Sequence, residues 1–152
     1  MKNAKLLLVL LTLAAAALPA QKKAINLQPP TQARPLSDAI LANGTLYLSG
    51  KLGHNANGEL PASFEDEARN ALKAQGEVLK AAGFSFSDVV KVTVFLSDLK
   101  NFNDWNKVYV EFFKVDPPAR STVQVAGLVR DGQVEVEMIA VKGVHVQPAN
   151  VR

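Results

Sequence analysis

Only two stretches of this chain repeat their apolar residues at helical spacing, and two helices can cover no more than one face of a sheet. The first places Phe64, Ala68, Ala71, Leu72, Gln75, Leu79 and Ala82 on one stripe. Ser63, with Asp66 three residues on, opens it in a capping-box pattern, and Gly83 closes it just past the last turn. Gly76 inside the helix costs up to about 1 kcal/mol against alanine, which predicts a close packing contact at that point. The second helix opens at Asn101, with Asp104 at the third position. Its stripe is Phe102, Trp105, Tyr109 and Phe112 or Phe113, and Pro117–Pro118 stops it.

The remaining apolar sequence is patterned for strands. Leu36–Leu41 and Thr45–Ser49 flank Ala42–Asn43–Gly44, a composition and spacing suited to a tight hairpin turn. Asp88–Ser97 is rich in β-branched residues, with Val90, Val92, Val94 and Leu96 on one face. Arg120–Ala126 and Gln133–Lys142 complete the set, joined through the turn sequence Arg130–Asp131–Gly132. Gln21–Arg34, with Pro29–Pro30, reads as an extended lead-in with little structure, and Asn57–Gly58 marks a further turn. The order is ββαβαββ: an α+β fold with a mixed sheet and both helices on one face. The other face must meet water, a ligand or another subunit.

Ahead of this domain, Lys2 and Lys5 precede an apolar run from Leu6 to Leu18, then Pro19–Ala20 and the polar Gln21–Lys22–Lys23. That order is the order of a secretory signal peptide. The run is too short to span a bilayer as a helix, and no later stretch reaches the roughly 20 apolar residues that spanning needs. Residues 1–20 are therefore expected to be cleaved and residues 21–152 to form one exported domain, periplasmic or secreted, with no membrane association. Removing 20 of 152 residues leaves 132, enough for a core of its own. Of 17 basic residues two leave with the leader, so 15 face 14 acidic ones and the formal charge falls from +3 to +1. So small and dispersed a charge argues against a nucleic-acid partner. There is no cysteine, hence no disulfide and no thiol nucleophile. His54 and His145 are the two histidines, and no ligand-spaced metal cluster is present. Both read as solvated residues, His54 in a loop and His145 in a Pro-containing tail.

Along the last strand Val134, Val136, Met138 and Ala140 point one way and Glu135, Glu137, Ile139 and Val141 the other. On the preceding strand Arg120, Thr122 and Gln124 share a face. If these two strands pair side by side, the uncovered face carries Arg120, Thr122, Gln124, Glu135 and Glu137 together. From alternation alone this stripe is either a solvated or subunit-facing surface with cross-strand ion pairs, or a site.

Several segments in order resemble motifs of the RidA (YjgF) family: Ser49–Gly50, Asp88-Val89-Val90-Lys91-Val92-Thr93-Val94-Phe95-Leu96, Asn106-Lys107-Val108-Tyr109 with Phe112–Phe113, Pro118-Ala119-Arg120-Ser121, and Val134-Glu135-Val136-Glu137-Met138-Ile139-Ala140. The similarity runs from about Arg34 to Lys142, and the Pro-Ala-Arg-Ser segment with the Glu-x-Glu strand is its most specific part. The resemblance implies a chorismate-mutase-like fold, a homotrimer with sites between subunits, and hydrolytic deamination of reactive 2-imino or enamine acids to 2-keto acids and ammonium, without cofactor or metal. It assigns Arg120 to the substrate carboxylate, a role suited to a planar, bidentate fork. It assigns Glu135 to the attacking water. Ser49 and Gly50 match the pocket loop and Asn106 a polar residue at its edge; from the residues alone a strand-end hydrogen bond and a helix-surface amide are equally open for Ser49 and Asn106.

Two positions depart from the family pattern. Leu36 stands where the family has a substrate-facing tyrosine, removing a hydroxyl and favouring lower activity or a bulkier, more apolar imine. Thr122 stands where a cysteine is common, a minor change because imine hydrolysis needs no thiol. The alternative function is a non-catalytic module of the same fold that binds or senses small carboxylates through Arg120. Ribonuclease activity, reported for some relatives, fits least with export and a charge of +1.

Overall fold

The computed structural model describes residues 21–29 and 35–143. The leader reading and His145 lie outside the described residues. Six strands form one sheet: β1 (Lys22–Ile25), β2 (Ala39–Ala42), β3 (Thr45–Leu52), β4 (Val89–Leu96), β5 (Ala119–Gln124) and β6 (Val134–Val141), with α1 (Phe64–Ala81) after β3 and α2 (Phe102–Phe112) after β4. Their spatial order is β1-β2-β3-β6-β4-β5. Every pairing is antiparallel except that of β4 with β5, the pair that α2 connects as a crossover.

The local signals act largely as read, although the Asp66 carboxylate, which a full capping box would turn back to the Ser63 N–H, accepts from Arg69 Nη1 instead. Ser63 caps α1, its side chain accepting from the Asp66 N–H. Asn43 and Gly44 both take positive φ, 49° and 76°, in the two-residue turn between β2 and β3. At Gly76 an added Cβ would lie 3.0 Å from the Phe86 ring, which packs against Phe112 and Phe113 with centroids 5.4 and 5.3 Å away. The core lies between the helices and one sheet face, where Leu46, Leu72, Leu79, Val92, Val94, Leu96, Trp105, Val134 and Val136 are fully buried.

Four expectations are corrected. The lead-in holds an edge strand: β1 pairs with β2 and buries Ile25, although its lysines disguise it as linker. Asn101 makes no side-chain cap. A 3₁₀ turn, Leu99–Asn101, precedes α2, and Asp98 accepts the Lys100 N–H at 2.9 Å instead. A bulge between Val89 and Lys91 puts Val89 on the buried face in place of Val90. Most consequential, β5 and β6 are not neighbours, because β4 lies between them. The apolar strands β4 and β6 take the centre. The polar β5, Ala-Arg-Ser-Thr-Val-Gln, goes to the edge, where burial is least.

Candidate active site

With β4 in between, the side of each candidate residue follows from register. Val92 pairs with Arg120, Val94 with Thr122 and Leu96 with Gln124, and all three partners on β4 are buried beneath the helices. Arg120, Thr122 and Gln124 therefore stand on the helix side of the sheet. Glu135 pairs with Phe95 and Leu52, and Glu137 with Thr93, all facing the uncovered side. The single polar stripe expected from sequence is thus two groups on opposite faces.

The helix-side group is built on α2. Asn106 Oδ1 accepts from Arg120 Nη2 at 2.7 Å. The Arg120 guanidinium lies 4.6 Å from the Tyr109 ring centroid and 5.7 Å from that of Phe102. Phe102, Asn106 and Tyr109 occupy positions i, i+4 and i+7 of one helix face, so a single helix holds both the amide and the aromatic bed. Burial pushes the Tyr109 phenol up to about 12, partly offset by the Arg120 charge. The ring thus stays neutral beside the cation at working pH. Among the described residues no carboxylate pairs with Arg120. A guanidinium has five N–H donors, and Asn106 accepts from Nη2 alone, leaving a free edge of fork geometry for a planar anion. Two positions along, the buried Thr122 hydroxyl has no hydrogen-bond partner among the described residues.

The second group gathers at a bulge in β3. Leu48 pairs with Met138 and Lys51 with Val136, so Ser49 and Gly50 together oppose Glu137. A Cβ at Gly50 would collide with the Glu135 carboxylate, so glycine lets that carboxylate lie against the backbone. Ser49 Oγ donates to the Ser37 carbonyl at 2.7 Å, tying the bulge to the segment that carries the exposed Leu36. The Glu135 carboxyl is raised above the ordinary glutamate value, chiefly by burial and further by the like charge of Glu137. It is a stronger base than a solvated carboxylate.

Residues 27–142 match the family described as Endoribonuclease L-PSP. The chain belongs to the RidA (YjgF) family. It is 47% identical over 116 residues to the 2-iminobutanoate/2-iminopropanoate deaminase of Bos taurus, covering 75% of this chain and 85% of that protein. Among RidA-family crystal structures, RidA from an Antarctic Psychrobacter matches at 36% identity and a TM-score of 0.72, covering 78% of this chain and 98% of that one. E. coli TdcF with bound serine matches at 36% identity and a TM-score of 0.72, covering 79% and 98%.

Of the residues singled out from sequence, the structure brings Arg120 to Asn106, with Thr122 on the same strand face. It brings Glu135 to Gly50, and Ser49 to the Leu36 segment. It does not bring the two groups together within one chain. Sequence reading took Phe102 and Tyr109 for core alone; their spacing around Asn106 was the signal that they share its face. Gln75 was read as one more stripe position, yet it is a buried amide aimed at the β3 bulge. His54 stays at the periphery, its Nε2 3.4 Å from Arg130 Nη1. No three His, Asp or Glu side chains among the described residues are grouped to hold a metal. No helix among them is long and apolar enough to cross a membrane.

Proposed function

We propose that this protein hydrolyses small 2-imino acids, such as 2-iminopropanoate and 2-iminobutanoate, to 2-keto acids and ammonium, at sites shared between copies of the chain. The observation that carries this reading is Arg120: a cation fixed by an amide and two rings, with no acid beside it among the described residues and its fork edge free. The names of the relatives, imine deaminases at more than 40% identity, support the choice of reaction. Arg120 takes the substrate carboxylate. Glu135 accepts a hydrogen bond from a water, which adds its oxygen to the imine carbon while the nitrogen gains a proton. The resulting carbinolamine re-forms a C=O bond as the C–N bond breaks, and ammonia leaves and is protonated. No cofactor is required.

Because Arg120 and Glu135 stand on opposite faces of one sheet, a second copy must supply one of them. The uncovered face, with Tyr47, Phe95, Val123 and Ile139 at least partly exposed among Glu135, Glu137 and Thr93, is suited to that contact. A homotrimer is the assembly the family resemblance implies. Export behind residues 1–20 completes the proposal. Mass spectrometry of protein from the native cell should find an N-terminus near Gln21, and an intact Met1 would count against it.

The test uses imines generated in place by an amino-acid oxidase. Arg120→Ala is expected to weaken binding of a small 2-keto acid roughly ten- to hundredfold, and Arg120→Lys less, since lysine keeps the charge and loses the fork. Glu135→Gln is expected to keep that binding and lose most turnover. Parental behaviour in Arg120→Ala would remove the site. A second reading, carboxylate binding without turnover, draws on Leu36, which offers no hydroxyl to substrate or water. It holds if Arg120 governs keto-acid binding while the parent hydrolyses no imine.

A further inference from the structure

Gln75 is fully buried in the middle of α1, yet its amide is spent on the sheet rather than on the helix. Nε2 donates to the Ser49 carbonyl at 3.0 Å and to the Val136 carbonyl, the residue next to Glu135. These carbonyls flank the place where Ser49 and Gly50 bulge out opposite Glu137. A bulge breaks the regular ladder and frees backbone groups that need partners elsewhere. Here the other bonds come from β2 and its approach: Ser49 N–H donates to Asp38 O at 3.0 Å, Ser49 Oγ to Ser37 O at 2.7 Å, and Lys51 Nζ pairs with the Asp38 carboxylate. Gln75 is the side chain that ties the bulge to β6 from beneath. Its Oε1 is buried with no partner among the described residues, a cost that an apolar side chain of the same shape would not carry.

From these contacts we propose that Gln75 is a positioning residue for the Glu135 half of the site. It acts through the bulge and makes no contact with substrate. Ironing the bulge out would slip β3 by one residue past this point, so that Gly50 would oppose Val136 and Lys51 would oppose Glu135. The carboxylate would then face a side chain where it now lies against glycine. By bridging the Ser49 and Val136 carbonyls, Gln75 opposes that slip. This role rests on the proposed imine hydrolysis for its catalytic consequence, but not for its structural one.

Gln75→Met removes both donors at nearly constant length and volume. It is expected to lower kcat roughly ten- to hundredfold, the effect of displacing a reacting group by about 1 Å. Keto-acid affinity, which reads the Arg120 half, should stay within about twofold. In hydrogen exchange, protection should fall at Ser49–Leu52 and not along α1. A kcat and a β3 exchange pattern equal to the parent's, with only the melting temperature lowered, would make Gln75 an ordinary core residue and overturn the proposal. If Gln75→Met does not fold, Gln75→Asn, whose shorter amide reaches one carbonyl but not both, should give an intermediate loss of kcat and of exchange protection; parental values for both would overturn it. If the parent itself hydrolyses no imine, the exchange pattern alone decides the role of Gln75. Loss of Arg120-dependent keto-acid binding would instead sink the site reading and leave Gln75's hold on the bulge standing.

Discussion

Glu135 and Glu137 have the same chemistry, the same strand and the same face, and differ in what surrounds them. Glu135 is half-buried against Gly50, whereas Glu137 is exposed one pleat along, about 6.5 to 7 Å away by strand rise. Both burial and the charge of Glu137 raise the Glu135 carboxyl. In the proposed reaction the form of Glu135 that holds the water is the carboxylate, so activity is expected to fall as pH drops through this raised value, at a higher pH than an ordinary glutamate would impose. Glu137→Gln removes the smaller of the two causes. Its acid limb in a kcat profile should shift to lower pH while the plateau stays near the parent's, and an unmoved limb would show that Glu137 does not act on Glu135. Alternation marked both glutamates without ranking them, since it assigns a face and not a depth; the family resemblance alone singled out Glu135. The same limit hid the aromatic bed of Arg120, because a buried ring and a ring beneath a cation share one helical spacing.

At the scale of elements, α1 shows how far local signals reach. Its cap, its stripe and its closing glycine were all readable, and so was the prediction that Gly76 marks a tight contact, now identified as the Phe86 ring. Alanine at that position would improve helix propensity by up to about 1 kcal/mol. Against that, its methyl would meet a ring already fixed between Phe112 and Phe113, and overpacking of this kind typically costs about 1 to 3 kcal/mol. Urea unfolding of Gly76→Ala should therefore show a net loss of about 1 kcal/mol; a gain would mean that the aromatic cluster yields. What local signals missed were elements set by partners. β1 is a strand because β2 offers it an edge, and α2 is entered through a 3₁₀ turn that its own stripe does not announce.

For the whole molecule, the separation of Arg120 and Glu135 onto two faces makes an assembly of copies part of the proposed chemistry. Arg120→Ala and Glu135→Gln, each nearly inactive alone, are expected to complement when unfolded together and refolded as mixed oligomers. If each site takes one residue from each of two chains, random mixing at equal amounts leaves about a quarter of the sites with both residues intact, and so about a quarter of parental activity. No recovery in assemblies shown by sedimentation to be mixed would place both residues in one chain's site and refute the shared-site geometry.

By itself the sequence determined the class of fold, the places of both helices, the ends of α1, five of the six strands and, through the Pro-Ala-Arg-Ser and Glu-x-Glu segments, the candidate residues on which the proposed function rests. These are properties of short windows, in which period and turn chemistry leave few choices. Only the tertiary structure decided that β4 separates β5 from β6, and with it which face Arg120 occupies. Strand order is a competition for the buried centre of the sheet. It depends on the apolar content of every strand at once, and no window of the sequence contains that comparison.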